Sequence, residues 1–386
     1  MTETGKSVVS IADCKRYHYD TIRESLINIF TPWNSLGSFI TAGQKVLLKP
    51  NLLAAAPPEE AVTTHPLIVE VLADMIREIG CKVYIGDSPG NDREEYTYEI
   101  TGMKDVALKT GAEILYFNQH NTEEDANAVD NVYNLTGALT DMDLIINLAK
   151  LKTHSLTGLT GAVKNTYGCV AGKRKKKLHF EHPLPFDFSR HLVDIHLLVK
   201  PVFSLIDAVV AMEGMGPRSG KPKHLGLLIG AENAFAADLA AAVITGFKPN
   251  QVTTLAVARA RGISGAVPGD LQIHGKEIQD CLVKDFDRGL ASDGNLAGLL
   301  ARFPLVWLRN NMNRRRPFPV INIGKCIACG KCSTGCPPQI ISLKDKLPTI
   351  EYNKCIRCYC CQEFCPAGAI DLERINIRRS HLHEQG

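Results

Sequence analysis

The chain has 386 residues, 45% of them hydrophobic, which is enough to bury a large interior and to form two domains. With 44 Lys and Arg against 41 Asp and Glu, its formal charge is only +3, which excludes a global electrostatic case for nucleic acid or an acidic partner.

The first twenty residues, MTETGKSVVSIADCKRYHYD, hold no apolar stretch behind a basic flank. No signal peptide is expected, and the reading places the protein in the cytoplasm. Residues 44–49, QKVLLK, predict a short buried strand. Pro66 follows Thr64 and His65 and precedes Ile68, Leu72, Met75, Ile76 and Ile79 on one face, with Gly80 behind them; this predicts a helix. A strand at 81–87, a helix at 103–110 closed by Gly111 and a strand at 112–117 follow, and such alternation implies a parallel sheet. The pattern returns with strands at 143–149, 202–211 and 225–230, then an Ala-rich helix from about 233 to 246 and another at 250–262. The stretch 225–247 is the longest candidate for a membrane span, but Glu232, Asn233 and Asp238 break it, so no transmembrane segment is expected. The fold class is α/β: a large, mainly parallel-sheet domain with helices on both faces, with irregular insertions near 88–102 and 170–190.

Residues 287–320 mix an apolar stretch with arginines and three prolines and read as a helix and linker, with Arg314, Arg315 and Arg316 solvated. A membrane-surface or greasy-substrate contact is the alternative. Behind them comes a repeat: KCIACGKCSTGCPPQIISL at 325–343 aligns onto KCIRCYCCQEFCPAGAIDL at 354–372 with a constant offset of 29 residues. The domains are therefore expected at 1–286, 287–320 (helix and linker), 321–375 (a small α+β module) and 376–386 (tail).

Thirteen cysteines are unevenly spread, nine of them between Cys326 and Cys365. In a chain with no export signal such a cluster reads as metal binding rather than disulfides. The first repeat gives Cys326, Cys329, Cys332 and Cys336 before Pro337; the second gives Cys355, Cys358, Cys361 and Cys365 before Pro366, leaving Cys360 surplus. Three thiolates two residues apart wrap one cubane face, and the fourth, before a proline, goes to the other cluster. The expected ligand sets are crossed: Cys326, Cys329, Cys332 and Cys365 on one [4Fe–4S] cluster, and Cys355, Cys358, Cys361 and Cys336 on the other. Zinc, the competing reading, needs two separated pairs but neither the third cysteine nor the proline. The run resembles the bacterial dicluster ferredoxins, and that resemblance implies low-potential one-electron transfer.

In the large domain, LLKPNLL places Lys49 and Asn51 just past a predicted strand, and GDSPG places Asp87 and Ser88 past the next. A third strand leads into AKLKTHSLTGLTGAVKNTYG, with Lys150, Lys152, His154, Lys164 and Asn165, and then a basic run at 173–177 that reads as a solvated loop. Ligands of open parallel sheets bind beyond the strands' carboxyl ends, so these groups are expected to converge on one pocket. Lysines and an amide suit an anionic ligand, and His154 a proton donor or a structural hydrogen bond. Asp207, inside an apolar strand, reads as a buried carboxylate bonded to a loop. Neither GCVAGKR nor EGMGPRSGK has the context of a nucleotide loop. KPNLL, THP, GDSPG, AKLKTHSLTGLTGAVKNTYG and DAVVAMEGMGP together resemble the DUF362 family. That resemblance implies an iron–sulfur protein of redox or anaerobic metabolism and brings no established catalytic residues.

Two functions follow. One is a reductase that passes electrons from two [4Fe–4S] clusters to an anionic organic substrate, with Lys152, His154 and Lys164 as catalytic candidates and Lys49, Asn51, Asp87, Lys150 and Asn165 as substrate-binding candidates. The other is a noncatalytic carrier docking to another redox enzyme. Either way the expected partner is an electron donor or acceptor protein, not nucleic acid. Ligase or transferase chemistry ranks last, because no ATP motif survives inspection.

Overall fold

The computed structural model describes residues 6–119, 133–292 and 316–375. Arg314, Arg315, most of the 287–320 segment and the tail at 376–386 lie outside them.

The large domain opens with β1 (Ser7–Asp13), which the sequence reading did not pick out, and α1 (Tyr19–Phe30). Next come β2 (Lys45–Lys49), α2 (Pro66–Glu78), β3 (Lys82–Asp87), α3 (Glu94–Ile100), α4 (Met103–Thr110) and β4 (Glu113–Tyr116). Helix α2 starts as expected: Pro66 sits in the first turn, where its missing N–H costs nothing, and the His65 side chain accepts from Leu67 N at 3.2 Å. The second half holds β5 (Leu144–His154), β6 (Gly158–Thr160), α5 (Ala162–Asn165), α6 (Arg174–Glu181), α7 (Pro185–Val199), β7 (Phe203–Glu213) and β8 (Lys221–Ala231). It closes with α8 (Ala234–Ile244), α9 (Thr253–Ala260) and β9 (Leu271–Gly275).

These strands form a nine-stranded sheet in the order β4-β3-β2-β5-β7-β8-β1-β9, with β6 folded back on the end of β5. Strands β4, β3, β2, β5 and β7 are mutually parallel, whereas β8 runs against both β7 and β1. The 214–220 loop between β7 and β8 therefore lies at the carboxyl ends of the parallel strands. Strand β7 is buried on both faces: Leu205 and Val209 pack with Ile22, Leu26 and Leu72, while Ile206 and Ala208 pack with Leu239 and Leu255. A strand covered on both sides reads as a continuous apolar run, as this one does.

Two expectations for the large domain are corrected. The insertions at 88–102 and 170–190 are not irregular: they contain α3, α6 and the start of α7. The 173–177 run is not a solvated loop either, because it opens α6 and buries Lys175, whose ammonium donates to Ser88 O at 2.5 Å and Ser88 Oγ at 2.8 Å.

The C-terminal module contains β10 (Phe318–Ile321), α10 (Lys331–Thr334), β11 (Ile341–Lys344), β12 (Leu347–Ile350), α11 (Cys360–Glu363) and β13 (Ile370–Glu373). Strands β10 and β13 pair antiparallel, as do β11 and β12. Arg316, expected in solvent, is half-buried: it donates to Pro183 O at 3.0 Å and to Arg357 O, and lies 4.9 Å from the Tyr359 ring centroid.

Candidate functional site

The repeat is visible in the backbone. Ala328 and Arg357 have φ of 56° and 55°, Gly330 and Tyr359 have 72° and 64°, and helices α10 and α11 follow at the same offset. Cys360 therefore stands where the first repeat has Lys331, and its buried thiol faces Cys358.

The sulfurs sort into two cavities. One is lined by Cys326, Cys329, Cys332 and Cys365, the other by Cys336, Cys355, Cys358 and Cys361, each with apolar neighbours. Among the described residues, no three His, Cys, Asp or Glu side chains close on the position of a single ion. The sulfurs stand around a void instead, which suits a polynuclear core. Backbone amides support them: Ala369 N donates to Cys365 Sγ at 3.2 Å, the type of bond that stabilises a cluster sulfur.

The module is seated on the strand ends of the large domain, with α11 toward it. Gln362 donates from Nε2 to Met215 O at 2.8 Å and accepts at Oε1 from Ser155 Oγ at 2.8 Å. Lys331 pairs with Asp92 at 2.6 Å, and Lys176 donates to Asn91 Oδ1 at 2.7 Å and Thr334 O at 3.2 Å. Phe364 is wedged between two glycines: a Cβ on Gly90 would stand 2.6 Å from its ring, and one on Gly335 2.2 Å. The final glycine of GDSPG thus makes room for the module.

Glu363, at the end of α11, reaches into the large domain with Oε1 3.1 Å from His154 Nε2. The contact is misaligned, and neither atom has a hydrogen-bond partner among the described residues. His154 Nδ1 accepts from Leu156 N at 3.0 Å and Thr157 N at 3.3 Å, so a neutral ring carries its proton on Nε2, toward the carboxylate. Burial, then Lys164, pushes His154 down to about 4, with Glu363 pulling the other way. Burial alone would raise Glu363, but His154 and Lys164 outweigh it and hold the carboxyl well below its usual range. His179, stacked on Phe188 with centroids 4.2 Å apart, belongs to the same electrostatic cluster, and its Nδ1 is buried without a partner. The Lys164 ammonium donates no hydrogen bond among the described residues, and burial lowers its pKa.

The other candidate residues are gathered close by, but each is already matched. Lys49 pairs with Asp87 at 2.7 Å, and the second oxygen of Asp87 accepts from Leu52 N at 2.6 Å. Lys150 pairs with Asp207 at 2.9 Å; Asp207 also accepts from Tyr17 Oη at 2.9 Å and from His65 N, in a loop, at 3.1 Å. Lys152 donates to Asn51 Oδ1 at 2.8 Å and Val62 O at 2.6 Å. From Asn51 the chain of amides continues to Asn165 at 2.9 Å and from Asn165 to Asn147 at 2.8 Å. The structure thus separates a self-satisfied network (Lys49, Asn51, Asp87, Lys150, Lys152, Asn165) from an unsatisfied patch (His154, Lys164, His179) against Glu363. Sequence reasoning missed Glu363 and His179; the signal for the first was the replacement of Thr334 and Gly335 by Glu363 and Phe364 in the second repeat.

Two four-thiol cavities in a module seated on an α/β sheet define an iron–sulfur electron-transfer protein. The chain belongs to the DUF362 family: residues 46–243 match the family described as a domain of unknown function, DUF362, and residues 325–369 match the 4Fe–4S dicluster domain. Its cofactors are accordingly two [4Fe–4S] clusters. A thylakoid-associated protein of Synechocystis sp. is 31% identical over 257 residues, covering 66% of this chain and 80% of the relative. Among solved structures, a Thermotoga maritima protein aligns with TM-score 0.39 and 14% identity over 61% of this chain and 60% of its own. The lactate racemase apoprotein of Thermoanaerobacterium thermosaccharolyticum aligns with TM-score 0.39 and 13% identity over 62% and 57%. The chain thus spans less than two thirds of either solved structure. No helix among the described residues is long and apolar enough to cross a membrane.

Proposed function

We propose that the protein is a cytoplasmic oxidoreductase of anaerobic metabolism, a reductase that delivers electrons to an anionic organic substrate held by the large domain (1–286). One observation carries the reading: the segment bearing Cys358 and Cys361 is also the segment that presses on the patch of His154, Lys164 and His179. The proposed ligand sets are the crossed ones, Cys326, Cys329, Cys332 and Cys365, and Cys336, Cys355, Cys358 and Cys361. When bound, the clusters supply electrons singly at low potential.

The chain's own residues do the rest. Lys164, half-buried and without a hydrogen-bond acceptor among the described residues, offers an ammonium to a carboxylate or phosphate, and its lowered pKa makes it a ready proton donor. Lys152 holds Asn51 and the Val62 carbonyl and so ties down the two ends of the 51–62 loop. Glu363 presents its carboxylate to this patch, and a substrate anion would compete with it there.

The test uses anaerobically purified protein. Any copurifying small anion is identified, and carboxylates and phosphates are titrated against the wild type and Lys164→Ala. Loss of one charge-assisted hydrogen bond should weaken binding roughly ten- to hundredfold, or about 1.5–3 kcal/mol, with iron and sulfide content unchanged. Equal affinity in Lys164→Ala, or no anion bound at all, would sink the reductase reading. The latter result would favour the noncatalytic carrier, a reading supported by the pairing already present at Lys49 and Lys150.

A further inference from the structure

The two cavities differ in access. In the second, Cys336, Cys358 and Cys361 are buried, Cys355 is half-exposed, and α11 turns toward the large domain. In the first, Cys329 is exposed and Cys326 half-exposed. Around that opening lie apolar side chains that no described residue covers: Ile327 is 64% exposed and lines the cavity, beside the buried Pro348. Leu343, opposite Pro348 in the β11–β12 hairpin and 3.4 Å from where a Cβ of Gly330 would stand, is exposed too, as are Ile323 and Leu347. The exposed charges over 323–347 are Lys325, Lys344, Lys346 and a single carboxylate, Asp345. Lys331 is held by Asp92 of the large domain.

We propose that this face is the electron-entry surface, built to receive a small acidic protein that carries one electron. An apolar centre with a charged rim is the anatomy of a transient protein interface, and the basic rim selects an acidic partner and speeds encounter. Exposed Cys329 sits among these side chains, so docking brings the partner's redox group to the cavity whose cysteines are the more exposed. A second copy of this chain would set lysines against lysines. The step balances simply: the carrier loses one electron, the cluster of the first cavity gains it, and no proton or bond moves.

The experiment uses the full holoprotein under anaerobic conditions with a flavodoxin chosen for its net negative charge. Binding of the oxidised carrier is measured by calorimetry, and reduction by the reduced carrier by stopped-flow absorbance. Ile327→Glu and the pair Lys344→Glu with Lys346→Glu should each lower affinity and the second-order rate at least about tenfold, and the lysine pair should also flatten the salt dependence. Reduction by excess dithionite should still reach completion in the lysine pair, with iron content unchanged, which separates lost docking from a damaged cluster; Lys344 and Lys346, at the hairpin turn, are not part of the first cavity's lining. Wild-type binding and reduction in these variants, or a wild-type protein that ignores the carrier and binds only phosphatidylglycerol vesicles, would overturn the proposal. Both readouts are independent of any substrate in the large domain.

Discussion

Removing Asp207 tests whether the candidate lysines of the sheet are structural or open to a ligand. One oxygen of its carboxylate accepts from Tyr17 Oη at 2.9 Å and Val209 N at 3.2 Å, the other from Lys150 Nζ at 2.9 Å and His65 N at 3.1 Å. In Asp207→Ala the Lys150 ammonium, with a side chain only 1% exposed, keeps just the Tyr17 hydroxyl at 2.9 Å. Burial already lowers its pKa and Asp207 opposes this, so the variant leaves burial unopposed. Breaking a buried pair from one side costs about 3–5 kcal/mol, because a charge is stranded. At roughly 2–4 °C per kcal/mol for a domain of this class, the melting temperature should fall by roughly 6–20 °C. Replacing both partners, Lys150→Met with Asp207→Leu, should restore most of the loss, since an apolar pair of similar volume needs no counter-charge. Thermal unfolding followed by circular dichroism, with iron content checked alongside, reads both. A single variant that loses less than about 1 kcal/mol would show that solvent or a ligand already serves Lys150, and the network would then be an open site.

Three further outcomes are expected. Cys336→Ser should damage the centre otherwise held by the second repeat and Cys365→Ser the other, whereas Cys360→Ala should leave both intact; EPR of the reduced protein with iron and sulfide analysis reads the difference. Gly168→Ala should destabilise by about 1–3 kcal/mol or more, because the new Cβ would stand 1.8 Å from Asp87 Oδ1 and 2.7 Å from Lys49 Nζ and force that pair apart; a wild-type melting temperature would refute the tight approach. Burial raises Asp238 to about 7, against the opposing N–H groups of Ala162 and Val163, so the folded state holds a proton that the unfolded chain releases near its ordinary carboxyl pKa. Its contribution to stability is therefore present at low pH and is lost as pH rises toward 7, and Asp238→Asn should flatten the melting-temperature profile in that window.

Much of this could be read along the chain. The three-cysteine run of each repeat was legible because its geometry is local: residues three apart meet around one core whatever surrounds them, and the offset of 29 reappears in the φ angles of Ala328 and Arg357. The helix after Pro66 and the Ala-rich helix α8 were legible for the same reason, each having its periodicity and caps within a dozen residues. Convergence of Lys49, Asp87 and Lys150 followed from strand order, since parallel strands deliver their following residues to one edge. What the sequence left open was which of these charges meet each other. The pairing of Lys150 with Asp207, 57 residues apart, and of His154 with Glu363, in another domain, depends on how sheet and module pack. A lysine beside a glycine-rich loop looks alike in sequence whether its counter-ion is a ligand or a carboxylate from a distant strand. Only the tertiary structure assigned the partners, satisfying the buried Lys49, Lys150 and Lys152 internally, because burial makes an unpaired charge costly and that cost is settled by whatever group the fold brings within 3 Å or so, and leaving the half-buried Lys164 without a hydrogen-bond acceptor among the described residues.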